Sequence, residues 1–142
     1  MIKKVFISGT YHLLHAGHIE LFKEARALGD YLVVSFCSSK NLELYKGRKS
    51  CMPDDNRKVL LESIRHIDKV VVGNDDGGVW DFVPEFLLEK PDILATTTDD
   101  NHIEAKRKFC EKHGVEFVVL PKTPPKATPI STLQIINNII NS

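Results

Sequence analysis

The chain has no cysteines at zinc-ligand or redox spacing. Its three, Cys37, Cys51 and Cys110, are odd in number and far apart, and no CxxC pair exists, so a cysteine-built zinc site is not expected. Free thiols fit a reducing compartment. Long apolar runs are also missing. Val5-Phe6-Ile7 stops at Ser8-Gly9, which is too short for a signal peptide or a membrane span. The expectation is a cytoplasmic protein with no membrane partner. Excess charge of either sign is lacking too, since nineteen Lys and Arg balance nineteen Asp and Glu. That balance argues against a protein that holds nucleic acid by bulk electrostatics. It leaves room for a local basic pocket that takes a phosphorylated ligand.

What is present is ordinary for a soluble globular protein: 42% hydrophobic and 27% charged residues over 142 positions. That length suits one domain over residues 1–142, with enough core to need no staples. Two apolar patterns alternate along it. Short continuous runs at Val5–Ile7, Tyr31–Phe36, Lys69–Val72, Asp92–Thr96 and Val115–Leu120 read as five buried strands. Between them, helical spacing predicts helices over about 17–28, from Asp54 or Asp55 to about His66, over 79–89 and over about 102–112. Ser131 caps a last helix through Ile140. Continuous apolar strands alternating with helices predict an α/β fold, a doubly wound parallel sheet of five strands. Such sheets bind ligands beyond the carboxyl ends of their strands.

The loop after the first strand carries the strongest chemical signal: Gly9-Thr10-Tyr11-His12-Leu13-Leu14-His15-Ala16-Gly17-His18. His15 and His18 lie three apart at a strand-to-helix junction, on one helical face. Gly17 between them lets a ligand approach the backbone. The free N–H groups of a helix start suit a phosphate. Two imidazoles aimed at one place make sense where negative charge grows during a reaction. Ordinary surface histidines and a metal-binding pair are the competing readings. A second constellation, Lys46-Gly47-Arg48-Lys49, follows the second strand. Its cations suit phosphates, unless they are a solvated charge run.

The run Gly-Thr-Tyr-x-Leu-Leu-His-x-Gly-His resembles the signature of the HxGH nucleotidyltransferases, and most closely the glycerol-3-phosphate cytidylyltransferase-like proteins of bacteria. The resemblance continues through Leu28–Val34, Lys46–Lys49, Arg57–Arg65, Leu120–Thr123 and Ile130–Thr132. It implies a Rossmann-like sheet and a transfer in which a substrate phosphate attacks the α-phosphorus of CTP and pyrophosphate leaves. His15, His18 and Lys46 would be catalytic. Gly9, Thr10, Tyr11, Gly17, Arg57, Arg65, Lys122, Thr123, Ile130, Ser131 and Thr132 would hold the nucleotide. His12, Arg48, Asp99 and Asp100 would face a small phosphorylated acceptor. Magnesium would arrive bound to the substrate, with no protein metal site. The resemblance also implies a homodimer, for which Trp80, Phe82 and Phe86 are candidate interface aromatics.

The chain departs from the family pattern in places. His12 stands where relatives have Asp. Lys122-Thr123 and a proline-rich stretch replace an Arg-Thr pair followed closely by Ile-Ser-Thr. Thr97-Thr98-Asp99-Asp100-Asn101 replaces Gly-Asp-Asp-Trp after the fourth strand. These changes point to an acceptor other than glycerol 3-phosphate, such as another phosphorylated polyol or sugar for envelope or capsule precursors. An adenylyltransferase of the same superfamily, of the ADP-heptose or coenzyme-precursor type, and a non-catalytic nucleotide-binding module are the alternatives.

Overall fold

A computed structural model describes residues 2–142. Strands β1 (Lys4–Gly9), β2 (Tyr31–Phe36), β3 (Lys69–Val72), β4 (Ile93–Thr97) and β5 (Glu116–Leu120) form one sheet in the order β3-β2-β1-β4-β5. Every neighbouring pair is parallel. The order reverses direction between β1 and β4, so their carboxyl ends at Gly9 and Thr97 flank a crevice.

Among the described residues six α-helices complete the fold: α1 (Ala16–Arg26), α2 (Ser39–Lys46), α3 (Asp54–Glu62), α4 (Val83–Glu89), α5 (Ile103–His113) and α6 (Thr132–Ile140). Alternate strand residues point to opposite faces, and the core divides accordingly. Val5, Ile7, Leu32, Val34, Phe36, Ile93 and Ala95 pack with Phe22 and Ala25 of α1 and Leu61 of α3. Phe6, Val33, Val71 and Leu94 pack with Phe82, Phe86 of α4 and Cys110 of α5. The five-stranded α/β expectation holds.

Three expectations change. The segment after β2, where the apolar pattern predicts no helix, contains α2. Its start is set by Ser38, whose side chain accepts from the Asn41 N–H, and its end by Gly47 in the left-handed region at φ 62°. Helix α3 ends at Glu62, not near His66, and no side chain caps it. Asp54 lies inside the helix instead, and its carboxylate accepts from the Ser39 N–H and Oγ. The helix expected over 79–89 is broken into a 3₁₀ turn, Gly78–Trp80, and α4. Pro84 in the first turn of α4 costs nothing, because its missing N–H would be unpaired there.

The proposed interface aromatics are largely internal. Phe82 and Phe86 are buried, and Trp80 packs against Phe82 and Phe109 at centroid distances of 5.8 and 5.6 Å. They fill the second face of the core rather than present a surface to a partner. Phe86 also meets Phe6 edge-on at 5.5 Å and Phe109 at 5.1 Å. Phe86→Ala is therefore expected to destabilise the fold by about 3–5 kcal/mol in denaturant unfolding, through lost burial and a residual cavity. Leu88→Ala, on the exposed side of the same helix, should stay within about 0.5 kcal/mol.

Candidate active site

The site is built at the carboxyl end of β1. Gly9 has no Cβ, and one would lie 2.6 Å from the Tyr11 ring, so glycine is what lets that ring fold back over the strand end. Tyr11 takes a left-handed backbone, φ 47°. Its buried ring packs edge-on against Phe22 and His18 at 5.1 and 5.6 Å. Burial holds the Tyr11 phenol well above its usual range, and therefore neutral. The Thr10 carbonyl accepts from Arg57 Nη1 at 3.0 Å. That guanidinium is almost fully buried, lies over the Phe36 ring and pairs with Asp54 at 2.8 Å. Arg57 thus fixes the backbone of the loop from beneath.

At the start of α1 the two histidine side chains cap the backbone. Nδ1 of His15 accepts the Gly17 N–H at 3.1 Å, and Nδ1 of His18 accepts the His15 N–H at 3.2 Å. The ring centroids are 3.9 Å apart. Because each Nδ1 is an acceptor, the proton of the neutral ring sits on Nε2. Desolvation, and then the Lys122 charge, lower the His15 pKa. Burial first, then His15 and Lys122, lower His18 to about 4. Both rings are therefore neutral Nε2–H donors at neutral pH.

Two cavities meet here. The first, about 590 Å³, has His15, Gly17 and His18 on one side and Lys122, Thr123 and the Ile130-Ser131-Thr132 start of α6 on another. The α6 start is self-capped: Ser131 Oγ accepts from the Gln134 N–H, and Gln134 Oε1 accepts from the Ser131 N–H. Thr132 Oγ1 donates to the Leu13 carbonyl at 3.3 Å, tying α6 to the loop of the histidines. The second cavity, about 500 Å³, lies against Gly9, Thr10, Tyr11 and His12, with Lys46 and Arg48 on its exposed side. His18, Leu21, Thr97, Asp99 and Thr132 border both.

The structure sorts the sequence-derived candidates. Lys46, the last residue of α2, reaches Thr10 Oγ1 at 3.4 Å. Gly9, Thr10 and Tyr11, expected on the nucleotide, border the same cavity as the acceptor candidates. Arg57 and Arg65 border neither cavity. Arg57 is engaged beneath the loop, and Arg65 lies exposed in the turn beyond the end of α3. The acidic pair divides. Asp99 is exposed, accepts from the Thr97 hydroxyl and pairs with Lys122 at 3.1 Å; these partners hold its pKa low. Asp100 is buried in structural bonds, taking Lys106 Nζ and Thr96 Oγ1 on one oxygen and the His102 N–H on the other. Asp100 therefore anchors the α5 start and has little left for an acceptor. Asp81 and Lys106, both buried and both bordering the second cavity, were missed. The position of Asp81 beyond the end of β3 was the available signal, hidden by the expected continuous helix.

The sequence model described as cytidylyltransferase-like matches residues 6–138. The chain is 36% identical over 122 residues to the glycerol-3-phosphate cytidylyltransferase of Bacillus subtilis, covering 86% of this chain and 88% of that one. It is 30% identical over 141 residues to the FAD synthase of Ferroglobus placidus, covering 98% and 89%. A lipopolysaccharide core biosynthesis protein from Thermoplasma volcanium superposes with a TM-score of 0.73 at 26% identity, over 84% of this chain and 97% of that one.

The depressed His18 pKa makes stability pH-dependent. The unfolded chain takes up a proton near pH 6.5 and the folded chain only near pH 4, so the stabilisation is complete above about 6.5 and is lost as pH falls toward 4. His18→Asn removes this contribution. The stability gap between wild type and variant should move against wild type by up to about 2 kcal/mol from pH 7.5 to 5, read by denaturant unfolding.

Proposed function

Because the chain belongs to the cytidylyltransferase-like family of nucleotidyltransferases, we propose that it transfers a cytidylyl group from CTP to a small phosphorylated polyol, sugar or related metabolite, releasing pyrophosphate, in the making of envelope or capsule precursors. The observation that carries this reading is the meeting of two cavities at His18, one toward Lys122 and the α6 start, the other toward Lys46 and Arg48. A two-substrate transfer needs two such sites with the reacting phosphorus between them.

In this reading the triphosphate lies in the first cavity and the acceptor phosphate in the second. An acceptor phosphate oxygen attacks the α-phosphorus, and the bond from that phosphorus to the pyrophosphate oxygen breaks. Negative charge spreads over the phosphoryl oxygens and the leaving group. The Nε2–H groups of His15 and His18 donate to those oxygens, with no reorganisation because their Nδ1 atoms are already held. Lys46 neutralises charge from the acceptor side and Lys122 from the nucleotide side. Arg48 and His12 border the acceptor. Orientation and charge stabilisation are sufficient chemistry for phosphoryl-type transfer.

Among the described residues no three His, Cys, Asp or Glu gather to hold a metal. In this reading magnesium would enter with CTP and would supply charge neutralisation at the phosphates, and Asp99, which borders both cavities, would be the carboxylate beside it. A second reading, adenylyl transfer, has its own support in the likeness to an FAD synthase.

Incubation with each nucleoside triphosphate, magnesium and a panel of sugar and polyol phosphates tests the proposal by pyrophosphate release. CTP should give the highest turnover. Release with ATP alone would move the reading to adenylyl transfer, and release with no pair would end both. His18→Ala should lower turnover by about 10²–10³ with folding kept, the scale of losing one transition-state donor. Excess chelator should abolish the activity of the wild type.

A further inference from the structure

The second cavity contains buried polar groups that nucleotidyl transfer does not use. Asp81 borders it and is only 8% exposed. The chain makes space for this residue: a Cβ on Gly73 would collide with its carboxylate, and one on Gly77 with its backbone. The Asp81 carbonyl is also fixed, accepting from the Asn74 N–H at 2.8 Å. Among the described residues no cation pairs with the Asp81 carboxylate. Lys106, which also borders the cavity, gives its ammonium to Asp100 at 2.7 Å. The amide hydrogens of Asn41 go to Cys37 Sγ and the Gly78 carbonyl at 3.3 and 2.9 Å. Burial pushes the Asp81 pKa up to about 6, against weaker opposing pulls from Asn41, Cys37, Lys106 and the Phe82 N–H. A buried carboxylate without an ion pair is costly unless something supplies hydrogen bonds.

His12 is a second, independent observation on the same cavity. It is 4% exposed. Its Nε2 accepts the Cys51 N–H at 2.7 Å, so its proton is on Nδ1, and Nδ1 is buried without a partner. The residues that line the buried wall of the cavity therefore include one carboxylate without an ion pair and one imidazole N–H without a partner, and Lys46 and Arg48 lie on the exposed side.

We propose that Asp81 is the specificity-determining residue of the acceptor site, and that with His12 it selects a phosphorylated compound whose far end carries hydroxyl groups. Hydroxyls donate to the carboxylate and accept from the imidazole N–H. An ammonium group satisfies Asp81 and leaves His12 unpaired; an alkyl end leaves both unpaired. The phosphate end lies toward Lys46 and Arg48, which brings it beside His18. This placement rests on the transfer reading above, but the selection itself is a binding property.

The test is calorimetric titration of the full chain with polyol phosphates of three to seven carbons, alkyl phosphates of equal length and 2-aminoethyl phosphate. Wild type should bind at least one polyol phosphate about tenfold or more tightly than its alkyl counterpart, as expected where a charged hydrogen-bond partner is left unmet. Asp81→Leu should abolish that preference, and Asp81→Asn should reduce it, while CTP affinity and melting temperature stay close to wild type in the Asn variant. Equal binding of polyol and alkyl phosphates by wild type overturns the proposal, as does binding of none of them. Tighter binding of 2-aminoethyl phosphate than of every polyol phosphate overturns the hydroxyl assignment. A polyol preference without pyrophosphate release from any triphosphate sinks the transfer reading and leaves the selection standing. Turnover without the preference does the reverse.

Discussion

The reciprocal capping of His15 and His18 at the start of α1 is the constraint on which the site depends. A helix start has unpaired N–H groups, and here two of the backbone N–H groups around it are taken up by imidazole Nδ1 atoms. One pair of bonds does three things. It starts the helix without Ser, Thr or Asp, it fixes the tautomer of each ring, and it locks both rings side by side with Nε2–H free. Gly17 is part of the same arrangement, because a Cβ there would press on the His15 ring at 2.9 Å. A conventional N-cap would hold the helix equally well, but it would present no donors to a phosphate.

The capped histidines sit on a loop that is itself braced. Tyr11 closes it from one side by packing on His18 and Phe22, and Arg57 holds the Thr10 carbonyl from beneath. Arg57 belongs to α3, which arrives from β2 through α2, so the crossover on one face of the sheet bears on the site at the end of β1. On the other face, Lys106 of α5 bonds Asp100 and lies over the Phe82 ring at 5.7 Å. Two buried cations near the strand ends thus do different work. Arg57 is consumed by its loop, its carboxylate and an aromatic face. Lys106 offsets one of two buried carboxylates and leaves the other, Asp81, to a ligand.

The exposed cations divide along the same line. Lys122, on the loop after β5, adds to burial in lowering both histidine pKa values and bonds Asp99. Lys46, at the end of α2, leans toward Thr10. A site with a cation on each side and neutral donors between suits a reaction in which charge passes from one phosphate group to another. Neutral rings keep Nδ1 as the acceptor of the capping bonds, whereas protonation would turn Nδ1 into a donor and break them.

Much of this was legible along the chain. The five apolar runs had strand character because a sheet covered on both faces leaves no polar side, and the order of runs and helices implied the parallel α/β fold. The histidines at 15 and 18 were legible because a spacing of three within one helix turn is local geometry. Ser131 was legible as a cap for the same reason. What failed depended on distant partners. Arg57 and Arg65 look equivalent in sequence, yet only Arg57 lies under the β1 loop, because α3 stops at Glu62 and Arg65 turns away to solvent. Asp99 and Asp100 are adjacent, yet Lys106 and Thr96 claim one and solvent and Lys122 the other. Asp81 lies beyond the end of β3, at the ligand edge of the sheet, but its meaning comes from Gly73 and Gly77 behind it and from having no ion-pairing cation among the described residues. Local periodicity and helix-end chemistry are determined by neighbours in the chain, so the sequence alone determined the fold class and the paired imidazoles. Which charges are satisfied and which are left for a ligand depends on how separate elements meet, as where Arg57 of α3 reaches the Thr10 carbonyl and Lys122 reaches Asp99, and only tertiary packing brings those together.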